Sequence, residues 1–137
     1  LANSVVGFLP TVGGEAVTLE RVAGWIFAPI AWLMGIPWAE ASTAGSLLGV
    51  KSVLNEFIAY IQLSAMPADA LSERSRLITI YALAGFANLA SIGIQISGIG
   101  TMAPERRKDL ADLAWPAFVA ATLASCMTGC VVGIVAG

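Results

Sequence analysis

The chain of 137 residues contains no histidine, and only 12% of its residues are charged. The missing histidine excludes Ser-His-Asp and Cys-His nucleophile pairs and most zinc chemistry. A soluble domain carries about 25% charged residues and about 45–50% apolar ones. Here 58% are hydrophobic, and the mean hydropathy is +0.83. An ordinary soluble domain and a polar disordered chain are both excluded on that ground. The net charge of −2 comes without a basic block, so nucleic acid is not an expected partner. There is no P-loop, no GxGxxG and no metal-ligand spacing. Cys126 and Cys130 are four apart, on one face of any helix, where their parallel side chains cannot easily bridge. They read as small packing residues. The composition that remains is that of an all-α integral membrane protein. The start Leu1-Ala2-Asn3, with no Met and no basic n-region, is unlike a signal peptide and suggests a longer parent protein.

Charge-free runs locate the membrane segments. Residues 22–39, 77–104 and 113–137 are free of charge over 18, 28 and 25 residues. A spanning helix needs about 20 apolar residues. The last two runs meet that length. The first is interrupted by Pro29, Gly35 and Pro37 and carries Trp25, Trp32 and Trp38, which prefer the interface. It is expected to form an interfacial helix over 17–36, a Pro-kinked span being the alternative.

Residues 38–66 hold two apolar half-segments around Gly49, Lys51, Asn55 and Glu56. Each half is too short to cross alone, which predicts a re-entrant hairpin with its tip inside the membrane. Residues 67–76 form a polar connection, with Ser72 as N-cap of the next helix. That helix, over 73–100, is expected to be discontinuous. Drawn as one continuous helix, it places Tyr81, Asn88, Ser91 and Gln95 on one face, with Gly85 and Gly93 available for an unwound stretch. Residues 101–112 form a second polar connection. Its Arg106, Arg107 and Lys108 place it on the cytoplasmic side, against Arg74 and Arg76 in the other connection. The last helix is expected over 113–137, with Pro116 near its start. Its Ala117, Ala121, Ser125, Gly129, Gly133 and Gly137 recur every four residues as a close-packing ridge.

A carboxylate in an apolar segment costs several kcal/mol unless it has a partner or a role. Glu56 has two readings: an ion pair with Lys51 that holds the hairpin tip, or an acceptor for a hydroxyl-rich substrate. The polar stripe of Asn88, Ser91 and Gln95 likewise faces either a cavity or a neighbouring helix. No nucleophile with an adjacent base is present, and no enzyme activity is expected.

Gly49 to Tyr60 resembles the signature of concentrative nucleoside transporters, G-x-K-x-x-x-N-E-F-V-A-Y, with Ile58 in place of Val. Gly85 to Gly93 resembles the same family's G-F-A-N-x-x-S-x-G, and Gly24 to Trp32 is similar to its preceding segment. The resemblance covers nearly the whole chain. It implies a secondary symporter that moves nucleosides inward on a sodium or proton gradient, a homotrimer in the cell (inner) membrane, multi-pass. It also implies that this chain is the second of two inverted repeats, with the N-terminal half absent. Glu56, Asn88 and Ser91 would hold the ribose hydroxyls, Phe86 would line the pocket, and Asn55, Lys51 and Gln95 would support it. Ser125, Gly129 and Gly133 would pack helices. The family's base-recognition motif and its ion ligands belong to the first repeat, and no cofactor is implied. Two other classes stay open: a membrane assembly protein whose polar residues join helices, and a related carrier for another polar solute.

Overall fold

The computed structural model describes residues 19–136, with side chains from residue 22 onward. The expected helix start at 17–18 and the last ridge glycine, Gly137, lie outside the described residues. Six α-helices follow in order, and no strand occurs among the described residues. They are α1 (Leu19–Leu33), α2 (Trp38–Val53), α3 (Glu56–Ala65), α4 (Glu73–Leu83), α5 (Leu89–Met102) and α6 (Arg107–Val135). Short 3-10 turns at Ala68–Ala70 and Pro104–Arg106 link α3 to α4 and α5 to α6.

The turn between α1 and α2 bends the chain by 119°. Gly35 adopts φ +96°, a conformation open to glycine at little cost. Met34 and Ile36 on either side are buried. The two helices then pack backbone to backbone. A Cβ on Gly45 would lie 2.8 Å from Ala28 N and from Gly24 O, so no larger residue fits without separating them. The core interleaves small residues, Ala28, Ala31, Ala41, Ala44, Ala59 and Ala82, with larger ones such as Leu47, Leu48, Ile78 and Leu83. Small residues let membrane helices approach closely where apolar burial supplies little net drive.

Arginines tie the connections to helix ends. Arg74 donates to Gly35 O and to Gly133 O, 2.6 Å each. Arg76 donates to Leu63 O at 3.2 Å and to Pro67 O at 3.1 Å. Cations suit the carbonyl ends of helices. Ser72 Oγ accepts from Ser75 N at the start of α4, and Glu40 accepts from Ser72 N at 3.0 Å.

The last helix differs from the expected 113–137. It starts at Arg107, and Pro116 lies in its interior. The charge-rich stretch 105–112 marks where the apolar run of the sequence is interrupted, not where the helix begins. Arg106 pairs with Asp109 at 2.6 Å on the exposed side of the first turn, a small favourable contact. Together with the turn before it, Pro104–Val135 forms one run of 32 residues, long and apolar enough to cross a membrane. Trp115, Leu123, Met127, Ile134 and Val135 stay exposed along it, as do Phe57, Ile94, Trp25 and Ile26 elsewhere. Water does not favour that much apolar surface; lipid or further protein does.

Candidate functional site

The site is assembled at two chain breaks that lie side by side. The first is Leu54–Asn55, between α2 and α3. Asn55 is extended (φ −167°, ψ 169°), and its Oδ1 accepts from Ile58 N at 2.9 Å. That bond satisfies one of the orphan N–H groups of α3 and fixes the direction of the helix. Glu56 is the first residue of α3, where a negative charge suits the helix dipole.

The second break is Ala84–Asn88, between α4 and α5. Asn88 caps α5: its Oδ1 accepts from Ser91 N at 2.8 Å. Ser91 Oγ donates to Asn88 O at 2.7 Å and accepts from Asn88 N at 3.4 Å, closing a capping box. The two breaks meet where Asn88 Nδ2 donates to Glu56 Oε2 at 3.3 Å. One carboxylate therefore stands beside the starts of two helices. Asn88 and Ser91 are buried, Glu56 is half-buried, and Phe86 and Gln95 are exposed.

Beside this contact, but lined by neither Glu56 nor Asn88, a cavity of about 210 Å³ lies between α5 and α6. Phe86, Ser91 and Gln95 line one side, and Ala117, Phe118 and Ala121 the other. Gln95 stands one turn beyond Ser91 on the same face of α5. Gly93 lies inside α5, so the unwound stretch is confined to the region of Gly85. The break also places Tyr81 on a different helix from Asn88, Ser91 and Gln95, and the four do not form a single stripe.

Lys51 departs from its expected partner. It is 2% exposed, and its Nζ donates to Ala82 O at 3.0 Å. No carboxylate lies within ion-pair distance of it among the described residues. The ion pair with Glu56 is replaced by a bond to the carbonyl end of α4, because Lys51 sits on the turn of α2 that faces that end. Tyr60, whose residue type alone marks no role, does the same from α3: its Oη donates to Ile80 O at 2.7 Å. The signal available was its place in the motif, nine residues after Lys51 on the other side of the break. Arg74 lies in the first turn of α4, and nothing in the sequence pairs it with positions 35 and 133.

The ridge of α6 packs inside the chain over part of its length. Ser125, Gly129 and Gly133 are buried. A Cβ on Gly129 would meet Met34 Sδ at 3.1 Å and Ala82 Cβ at 3.2 Å, and one on Gly133 would meet Met34 O at 2.9 Å. Ala117 and Ala121 remain exposed. Ser125 packs on Gly85, where any Cβ would overlap its Oγ. Cys126 and Cys130 are free thiols.

Residues 1–133 match the model of a family described as the C-terminus of Na+-dependent nucleoside transporters. The chain belongs to that family. It is a family of transporters, not of enzymes. Among relatives, a putative nucleoside permease of Escherichia coli, NupX, is 39% identical over 127 residues, covering 91% of this chain and 30% of its own length. Human solute carrier family 28 member 3 is 37% identical over 132 residues, covering 86% of this chain and 19% of its own. Among solved structures, CNTnw in an inward-facing substrate-bound state matches with TM-score 0.79 and 45% identity over 85% of this chain and 29% of its own. An outward-facing double variant of the same transporter matches with TM-score 0.85 and 41% identity over 96% of this chain and 32% of its own. The chain thus spans about a third or less of the length of these relatives.

Proposed function

We propose that the intact protein is a cation-coupled nucleoside symporter, and that this chain supplies the ribose-binding half of its substrate site. The observation that carries the reading is the Glu56–Asn88 contact, which sets a carboxylate against the break whose Phe86 and Ala87, with Ser91 of α5, line the cavity. That bond uses one acceptor site on Oε2, and an ionised carboxylate has about four, which leaves Glu56 with capacity for a ligand hydroxyl. Ribose offers vicinal hydroxyls, and bonds to an ionised acceptor are about twice as strong as neutral ones. Asn88 holds the carboxylate in place, Ser91 holds Asn88, and exposed Phe86 offers a face to the sugar or base. Asn55 supports the start of α3, and Gln95 extends the polar lining.

The cavity is smaller than the roughly 300–1,000 Å³ of most ligand pockets. The missing N-terminal half would complete its walls and carry the ion ligands. In this reading α1 lies at the interface, α2 and α3 form a re-entrant hairpin, and α4 and α5 form a discontinuous span. With α6 they make up the second of two inverted repeats, in a multi-pass homotrimer of the cell membrane. The family description favours sodium over protons as the coupling ion.

The test uses the intact parent in proteoliposomes, with uptake and binding of uridine and a 3′-deoxy analogue. Glu56→Gln should weaken uridine roughly tenfold or more, the scale of a lost bond to a charged group, and weaken the analogue less. Equal losses for both ligands would remove Glu56 from direct contact. No uridine uptake under a sodium or a pH gradient would redirect the search to another polar solute.

A further inference from the structure

The carbonyl end of α4 is the least conventional feature of the molecule. An α-helix leaves its last four carbonyls without partners and gathers about half a negative charge there. In α4 three of the four are satisfied. Tyr81 O accepts from Ala84 N at 3.3 Å as the helix tightens, Ile80 O accepts from the Tyr60 hydroxyl, and Ala82 O accepts from Lys51. Two of these partners come from the hairpin α2–α3. One of them is a charged ammonium buried to 2% exposure, with no carboxylate paired to it among the described residues.

A buried ammonium with no carboxylate in direct contact is costly, and it persists only where fixed dipoles replace much of the lost water. The carbonyl end of a broken membrane helix is such a place. In secondary transporters the unwound carbonyls and half-helix C-termini are where the coupling cation is coordinated. In this chain a cation already stands there, and it is covalently attached to the hairpin. The space around it is closed. A Cβ on Gly85 would lie 3.5 Å from Lys51 Nζ and would overlap Ser125 Oγ, so helix α6 seals the far side.

We infer that Lys51 is a tethered cation: its ammonium fills the seat at the carbonyl end of α4 that a free alkali cation would otherwise take. This half of the transporter then closes its hairpin onto the broken helix without an ion of its own. The inference rests on the symporter reading for its meaning in coupling, but the seat itself is a property of the fold. Lys51 is a positioning residue, acting on Glu56 through the hairpin and not on the substrate.

The experiment compares the intact parent protein with its Lys51→Ala, Lys51→Met and Lys51→Arg variants. The first readout is the melting temperature in detergent, which needs no nucleoside. Lys51→Ala removes the atoms of n-propylammonium and should melt several degrees lower than the parent. Added n-propylammonium, or a raised concentration of sodium or potassium, should restore most of the loss; n-propanol should not. Lys51→Met keeps the bulk without the charge and should melt lower than Lys51→Arg, which keeps the charge. The second readout is uridine uptake against sodium concentration, where Lys51→Ala should need one sodium more than the parent. The inference is overturned if Lys51→Met matches the parent, if propanol restores Lys51→Ala as well as propylammonium does, or if no cation restores it. Where Lys51→Ala does not fold, Lys51→Met equalling or exceeding Lys51→Arg overturns it alone. A parent that takes up no uridine would refute the proposed substrate and leave the melting comparison standing.

Discussion

The two ends of the broken helix are treated in opposite ways. The carbonyl end of α4 is closed from within: Lys51, Tyr60 and the Ala84 amide occupy its acceptors, and Ser125 presses on Gly85. The amide end of α5 is capped by Asn88 and Ser91, yet it adjoins a half-buried carboxylate and a cavity. One end commits three of its four end carbonyls to partners in the chain itself. The other keeps an acidic group with lone pairs to spare. The difference teaches where rigidity ends and recognition begins, within five residues of each other. It also explains why one motif holds Lys, Asn, Glu and Tyr together. Lys51 and Tyr60 serve the closed end, Asn55 starts the helix, and Glu56 serves the open end.

The largest effect should come from breaking the closed end. Gly85→Val puts two methyls where even a Cβ has no room. It should abolish folded protein, read as loss of membrane-inserted material and of a cooperative melt. Wild-type yield with normal melting would show that the seal by α6 is loose. Next in size is Asn88→Ala at the open end, which removes both the α5 cap and the bond to Glu56. The cap alone is worth about 1 kcal/mol. Uptake should fall at least tenfold while the melting temperature falls by less than in Lys51→Met. The reverse order would make Asn88 structural glue and not a site residue. The smallest effect belongs to Tyr60→Phe, which deletes one neutral bond to Ile80 O. A loss of about 0.5–1.5 kcal/mol in stability is expected, with uridine affinity unchanged. A changed affinity would mean that the two ends are coupled more tightly than the geometry implies.

Much of this was legible from residue types. The break near Gly85, the helix break before Asn55 and Glu56, and the small ridge on α6 all follow from where polar and small residues interrupt apolar runs. The partners were harder to read. Lys51 and Glu56 are five apart, and opposite charges at that distance suggest each other. The carbonyl that outcompetes Glu56 for Lys51 carries no sequence signature, because every residue has one. The start of α6 was misplaced for a related reason. Charge records depth in the bilayer, while helical hydrogen bonding continues past the membrane surface. The stripe through Tyr81 failed because a phase calculation across a break assumes a helix that is not there.

The arginine staple has one consequence for how the molecule is made. Arg74 joins Gly35, 39 residues before it, to Gly133, 59 residues after it. The second acceptor is made 98 residues after the first, so only one side of the clasp can close until that much more chain exists. Damage to α6 near Gly133 should therefore be felt at a remote place, the corner between the first two described helices.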